Sequence, residues 1–205
     1  MRLATVKVSG TETAAVVHNE KVYLLNSINQ SFGHDWKTGI FELIQSGELD
    51  QLKDWYEKEG KQKLVNLEGI PVEEVKFGPL YRHPRKIWGI GLNYVDHAAD
   101  LNEVAPDTEP ASFMKPDTTI IGPGDKIKIP HQSDRTTAEA ELGIIIGKVC
   151  KNVSEEEAIN HIAGFTTIID MTAEDILQKN PRYLTRSKSF DTFFSFGPEL
   201  VTVEE

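Results

Sequence analysis

The sequence predicts a mixed, β-dominated α+β fold. Short stretches of alternating or continuous apolar residues recur along the chain, whereas helical spacing of apolar residues is confined to brief segments. The strands do not alternate regularly with helices, as they do in parallel α/β sheets. Glycine and proline residues interrupt the pattern at 78–85, which predicts a boundary between a small α+β domain at 1–80 and a larger β-rich domain at 81–205.

The first domain is expected to contain several short strands followed by two helices. Strands are predicted where apolar residues alternate or form short runs, at residues 3–8, 14–18, 21–25 and 72–77. Helices are predicted at 39–45 and 48–58, because apolar side chains recur there at helical spacing.

The second domain is predicted to be richer in strands. Short apolar or alternating segments indicate strands at residues 87–91, 119–121, 126–130, 139–149 and 165–169. A short helix is expected at 93–101, and Gly122 to Asp125 are expected to form a turn, because the helix and terminal motif of a phosphate loop are missing there. Residues 142–146 are apolar on both faces of their strand, so both faces are expected to be covered.

Ser154 is expected to begin a further helix. It is a plausible N-cap with Glu157 three residues later, as in a capping box, and an acidic first turn suits the helix dipole. Ala158, Ile159 and Ile162 would form the buried stripe of this helix, and Gly164 would end it.

Composition excludes several classes of protein. The 32 acidic residues outnumber the 22 basic ones, giving a formal net charge of −10, which disfavours nucleic acid as a partner. Cys150 is the only cysteine, so an intrachain disulfide and a zinc site of several cysteines are excluded. No segment resembles a signal peptide, and no apolar run approaches the roughly 20 residues of a membrane span. We therefore expect a cytoplasmic protein without membrane partners.

Glu139 and Glu141 are the most informative candidate site residues. Residues i and i+2 on a strand project to the same face, so the two carboxylates should lie side by side. A wet outer face is the commoner setting for such a pair, but this strand continues into an apolar run. Neighbouring buried carboxylates repel each other unless a positive charge lies between them, and a hard divalent cation would supply one.

Asp170 is the natural third ligand, because it follows the apolar strand at 165–169. An equally plausible interpretation makes Asp170 the N-cap of a helix at 171–177. Both interpretations hold if one carboxylate oxygen faces a metal ion.

Two further candidates are a histidine with a nearby acid and a lysine among aromatic residues. His97 and Asp100 would share one helix face, where the carboxylate could orient the imidazole as a general base, although exposed pairs at this spacing are common. Lys188 precedes several phenylalanines and could neutralise an anionic substrate or an enolate, although a surface position is the usual one for lysine.

Seven motifs in one order resemble the fumarylacetoacetate hydrolase family. They are IGLNYVDH at 90–97, PASFMKP at 110–116, IGPGD at 121–125, EAELGIIIGK at 139–148, IAGFT at 162–166, DMTA at 170–173 and KSFD at 188–191. The resemblance covers about residues 87–198 and implies the catalytic β-fold of that family. Residues 1–80 resemble the variable N-terminal domain that some members carry.

The resemblance also implies a site and its ligands. It implies Mg²⁺ (or Mn²⁺ or Ca²⁺) on Glu139, Glu141 and Asp170, a general-base dyad of His97 with Asp100, and contact of Lys188 with the substrate. By the same resemblance the residues that bind a small-molecule carboxylate substrate are Tyr94, Phe113, Lys115 and Gln178. A homodimer is expected on the same grounds.

Some positions depart from the family pattern. Asp100 replaces the usual Glu of the dyad, Glu174 stands where Arg is usual, and Leu177 takes the place of a glutamine that is shifted to Gln178. Members continue for roughly a further third of the catalytic domain, so we expect this chain to be a fragment that is incomplete at its C-terminal end. Its last residues, 201–205, resemble the start of a strand with no partner after it.

The function predicted from these observations is that of a metal-dependent hydrolase. It would cleave a C–C bond in a 2-oxo acid or 1,3-dicarbonyl carboxylate, or decarboxylate such a compound, with the cation polarising a carbonyl. The alternatives within the family are an isomerase acting on a compound like 2-hydroxyhepta-2,4-diene-1,7-dioate, and a sugar-acid dehydratase. An alternative from another class is a non-catalytic metal-binding relative.

Overall fold

The computed structural model describes residues 1–91 and 110–205. The strands in these two stretches are β1 (Arg2–Val8), β2 (Thr11–His18), β3 (Lys21–Leu24), β4 (Ile70–Pro71), β5 (Trp88–Gly91), β6 (Ala111–Met114), β7 (Ile120–Ile121), β8 (Thr136–Ile146), β9 (Ile162–Ala173), β10 (Phe194–Phe196) and β11 (Glu199–Val201). The α-helices are α1 (Leu25–Phe32), α2 (Ile40–Ser46), α3 (Glu48–Trp55), α4 (Lys61–Leu64), α5 (Glu155–Ala158), α6 (Glu174–Lys179) and α7 (Leu184–Lys188). None of the described helices is long and apolar enough to cross a membrane.

Nine of the described strands form one sheet at the centre of the fold. Its order is β4-β3-β2-β1-β11-β9-β10-β7, and β8 pairs with β9. β5 and β6 form a separate antiparallel pair. The predominance of strands over short helices agrees with the sequence prediction.

β11 joins the first part of the chain to the last. It pairs with β1 from Arg2↔Val201 to Ala4↔Glu199, and Val201 also lies opposite Phe165 of β9. The expectation that Val201 starts a strand without a partner is therefore wrong, because Val201 ends a strand that is paired on both sides. The division into domains at residue 80 stays a prediction, although the sheet is continuous across it.

The largest apolar cluster lies between the sheet and the first three helices. It includes Leu3 of β1, Ile28 of α1, Leu43 of α2, Leu52 of α3 and Leu200 of β11, all fully buried. α1 is not among the predicted helices, although its apolar residues recur at helical spacing. The helices bury those apolar faces against the sheet, which holds β1 and β11 in place next to β9.

Two predicted strands are wrong. Residues 72–77 begin with a short 3-10 helix, Val72–Glu74, and only Phe77 forms an isolated bridge to Val6. Residues 126–130 alternate in polarity but belong to no strand, and the backbone N–H of Lys128 donates instead to the Thr192 hydroxyl at 2.8 Å. Alternation indicates an extended segment but does not supply a neighbouring strand with which to pair.

The prediction that both faces of β8 are covered is also wrong for the described residues. Leu142, Ile144 and Ile146 are 60%, 53% and 57% exposed, whereas Gly143 and Ile145 on the other face are buried. Side chains alternate between the two faces of a strand, so one apolar row packs inward and the other faces outward.

The segment after Ser154 agrees only in part with the prediction. Ser154 is the N-cap, since its Oγ accepts from the Glu157 N–H at 3.4 Å, but α5 is a single turn. Ile159 is exposed and Ile162 begins β9, so the predicted buried stripe is wrong. Gly164 lies inside β9, where a Cβ would stand 2.2 Å from the Val201 carbonyl oxygen of β11. This glycine therefore permits the close approach of two strands and does not end a helix.

Candidate functional site

The pairing of β8 with β9 places two predicted ligands next to each other. Glu139 lies directly opposite Asp170, and Glu141 lies opposite Ile168 on the same face. Asp170 is inside β9, which continues to Ala173, and α6 begins at Glu174 without a side-chain cap. The alternative in which Asp170 caps a helix is therefore wrong, and its carboxylate is available to the site.

Lys188, the last residue of α7, lies between these two carboxylates. Its Nζ is 3.1 Å from both Glu139 oxygens, 2.9 Å from Asp170 Oδ2 and 2.6 Å from Thr172 Oγ1. Thr172 in turn donates to Glu139 Oε1 at 2.5 Å. The Lys188 side chain is only 6% exposed. The sequence predicts a positive charge between Glu139 and Glu141, whereas the structure places the Lys188 ammonium between Glu139 and Asp170.

A second lysine holds the other oxygen of Asp170. Lys115 Nζ lies 2.6 Å from Asp170 Oδ1 and also donates to the backbone carbonyl of Lys188. Its side chain is 1% exposed. Two ammonium groups thus balance Glu139 and Asp170, which offsets part of the cost of burying all four charges.

The pKa values of Lys115 and Lys188 are shifted in opposite directions. Burial is the largest influence on Lys115 and lowers its pKa to about 8, against the attraction of Asp170. Burial also acts to lower the pKa of Lys188, but Asp170 and Glu139 together outweigh it and raise that pKa above its ordinary value. Lys188 is therefore held firmly in the cationic form that an anionic substrate would require.

An aromatic wall covers Lys188. The ring centroid of Phe113 on β6 is 4.9 Å from Lys188 Nζ, a distance at which the ammonium and the ring attract each other. Gly89 lies opposite Phe113 across the β5–β6 pair, and a Cβ at Gly89 would stand 2.2 Å from Phe113 Cζ. The missing side chain of Gly89 therefore leaves room for the Phe113 ring.

We expect Gly89→Ala to displace Phe113 and to destabilise the protein by about 1–3 kcal/mol, the usual cost of forcing extra atoms into a packed site. Urea denaturation would measure the loss. Gly91→Ala on the same strand is the matched control, because among the described residues its Cβ would meet nothing closer than 3.7 Å. Equal stability of the two variants would contradict this account of Gly89.

A hard divalent cation fits the oxygen donors of this face. Carboxylates of Glu139 and Asp170 with the Thr172 hydroxyl are the ligand types that Mg²⁺ and Mn²⁺ prefer, and Glu141 projects from the same face. In the described stretches, no three acidic, histidine or cysteine side chains are grouped as a bound metal ion requires. The lysine ammonium groups hold Glu139 and Asp170 instead, and the three-ligand set stays a prediction.

The remaining predicted site residues fall into two groups. Tyr94, His97 and Asp100 lie outside the described residues. Gln178 is exposed on α6. Thr172 is not among the predicted site residues, although it lies two residues after Asp170 and therefore on the same strand face. Lys115 is predicted to bind the substrate, whereas its ammonium lies on Asp170 in the structure.

Comparisons with known proteins point to one family. The family model described as "Fumarylacetoacetate (FAA) hydrolase C-terminal" matches residues 86–205, which is more than half of the chain. An uncharacterised protein of Archaeoglobus fulgidus is 41% identical over 150 residues, which cover 73% of this chain and 59% of that protein. A mitochondrial oxaloacetate tautomerase of Xenopus laevis is 45% identical over 121 residues, or 58% of this chain and 38% of its own length.

A solved structure is similar over the whole chain. Maleylpyruvate hydrolase from Sphingobium sp. SYK-6, in complex with manganese(II) and pyruvate, has a TM-score of 0.74 at 25% identity. The match covers 100% of this chain and 68% of the hydrolase. This chain thus spans between about two fifths and two thirds of the length of the relatives described here.

Proposed function

Because this chain belongs to the fumarylacetoacetate hydrolase family, we propose that it carries the site of a divalent-metal-dependent enzyme acting on a 2-oxo acid or 1,3-dicarbonyl carboxylate. The observation that supports this most directly is the position of Lys188 Nζ, which lies within hydrogen-bonding distance of both Glu139 and Asp170. Oxygen ligands for a cation and a fixed positive charge for an anion are both present there.

Glu139, Glu141 and Asp170 would hold the cation. When bound, Mg²⁺ or Mn²⁺ supplies Lewis-acid polarisation of a substrate carbonyl. Manganese in the Sphingobium hydrolase structure, together with the oxygen donors described above, supports this assignment.

The other residues of the chain would bind substrate and move protons. Lys188 would balance the negative charge of a carboxylate or enolate, and Phe113 would exclude water from one side. His97, oriented by Asp100, would take a proton from water for hydrolytic C–C cleavage. Return of a proton to the enolate carbon without an activated water would instead give tautomerisation.

A tautomerase is the second candidate reaction. The Xenopus relative, named as an oxaloacetate tautomerase, is 45% identical over the matched region and favours it. Decarboxylation, an isomerase reaction and dehydration of a sugar acid remain alternatives with less support. The homodimer, the cytoplasmic location and the lack of nucleic-acid and membrane partners also stay predictions.

We expect the protein to consume oxaloacetate or an acylpyruvate only when Mg²⁺ or Mn²⁺ is present, and to stop when the metal is chelated. Product analysis separates the reactions: hydrolysis gives two acids, decarboxylation releases CO₂, and tautomerisation changes the enol absorbance without changing the mass. A thermal shift with metal but no product from either substrate would favour a non-catalytic binding protein.

A further inference from the structure

Lys115 connects the parts of the chain that form the site. It follows β6, its ammonium donates to Asp170 Oδ1 of β9 at 2.6 Å, and it donates to the Lys188 carbonyl at the end of α7. Its backbone N–H donates to the Ile87 carbonyl oxygen at 3.1 Å, next to β5. One side chain therefore ties β6, β9 and α7 together at a single point.

This arrangement leaves the Lys115 ammonium poorly placed for a substrate. The side chain is 1% exposed, and two of its three N–H groups already have protein acceptors. Reaching a bound ligand would require breaking the ion pair with Asp170 inside the protein. Uncompensated buried charges are costly, so the observed contacts should persist when the site is occupied.

The two lysines divide the oxygens of Asp170 between them. Lys115 holds Oδ1, and Lys188 holds Oδ2. Rotation of the carboxylate would break one of these pairs, so the contact at Oδ1 fixes the direction of Oδ2. By accepting from Lys115, the Lys188 carbonyl also fixes the backbone from which the Lys188 side chain extends.

We propose that Lys115 is a positioning residue that orients Asp170 as a metal ligand and anchors Lys188. It does not contact the substrate. The inference rests on the proposed function, because it needs Asp170 to bind a cation. Groups that orient a ligand from outside the coordination shell typically change metal affinity by about 10–100-fold.

The test compares Mn²⁺ binding by the wild-type protein and by Lys115→Met, which keeps most of the length of the side chain but removes its donors. Titration followed by the electron paramagnetic resonance of free Mn²⁺ should show affinity weakened by about 10–100-fold. At saturating Mn²⁺, kcat should fall while KM for the substrate changes little. If Lys115 bound the substrate instead, KM should rise while kcat changes little.

Two control variants separate positioning from general damage. Lys58→Met removes a lysine from an exposed pair with Asp54, in which Lys58 is 74% exposed, and should leave Mn²⁺ affinity unchanged. Leu43→Ala destabilises the core between the sheet and helices α1–α3, away from the site. It should also leave Mn²⁺ affinity unchanged. If Leu43→Ala weakens Mn²⁺ binding as much as Lys115→Met, the positioning role is overturned.

A measurement on the wild-type protein covers the case in which Lys115→Met does not fold. Acetylation followed by mass spectrometry should modify Lys58 quickly and Lys115 slowly, both without ligand and with Mn²⁺ and pyruvate. Fast modification of Lys115 would overturn the inference. If the wild-type protein binds no Mn²⁺, the proposed function and the inference are overturned together. If the wild type binds Mn²⁺ and Lys115→Met binds it equally tightly and is equally active, the inference alone is overturned.

Discussion

Glu139→Gln is expected to abolish metal-dependent turnover, lowering kcat/KM by at least about 10³-fold. The substitution keeps the shape of the side chain but removes the charge that faces Asp170 across the β8–β9 pair. Loss of Lewis-acid polarisation removes several kcal/mol of transition-state stabilisation, and each ~1.4 kcal/mol corresponds to a factor of ten. Mn²⁺ affinity should fall with activity, because a carboxylate ligand is lost.

Turnover with oxaloacetate and Mn²⁺ titration would be measured on the same preparation. Glu59→Gln is the matched control, because Glu59 forms an exposed pair with Lys63 on the protein surface. It should bind and react like the wild type. Activity retained by Glu139→Gln at saturating metal would remove Glu139 from the site.

The candidate site could be predicted from the sequence only in part. The spacing of Glu139 and Glu141 is enough to place them on one strand face, since side chains alternate with period two. The contact of Glu139 with Asp170 depends on the register of β8 against β9, which no local pattern contains. The sequence predicts a positive charge near Glu139 and Glu141, but no local pattern shows that Lys188, 49 residues after Glu139, pairs with Glu139.

The difference between local patterns and long-range pairing also explains which parts of the fold were predicted correctly. The cap at Ser154 was predictable because it depends on residues within one turn. The pairing of β11 between β1 and β9 joins residues about 200 positions apart, and the outward row at Leu142 depends on which strands and helices lie on each side of β8. Hydrophobic pattern indicates which segments are strands, and packing over long sequence distances decides their neighbours.

Lys188→Met is expected to weaken turnover and to strengthen cation binding at the same time. Turnover should fall by about 10²–10³-fold, the usual cost of removing one donor that stabilises developing negative charge. Mn²⁺ affinity should rise, because the Lys188 ammonium stands about 3 Å from oxygens of both Glu139 and Asp170 and repels a second cation there. Opposite changes in the two quantities distinguish this result from general unfolding.

The free energy of unfolding should also depend on the positive charge that Lys188 places beside Glu139 and Asp170. Without metal, Glu139 and Asp170 lose their shared counter-ion in Lys188→Met, and breaking a buried pair in this way costs about 3–5 kcal/mol. Mn²⁺ at a hundred times its Kd should restore about 2.7 kcal/mol through linkage to the folded state. At one fixed Mn²⁺ concentration, the thermal shift should be larger in the variant than in the wild type, because the Kd of the variant is expected to be lower.

Thermal melts with and without Mn²⁺ and a Mn²⁺ titration would check both expectations, with Lys58→Met as the exposed control. Lower Mn²⁺ affinity in Lys188→Met would mean that Lys188 assists the cation and does not compete with it. Unchanged stability without metal would mean that the two carboxylates do not depend on Lys188 for their charge balance. In either case Lys188 could not be both the resident counter-ion of the site and its anion-binding group.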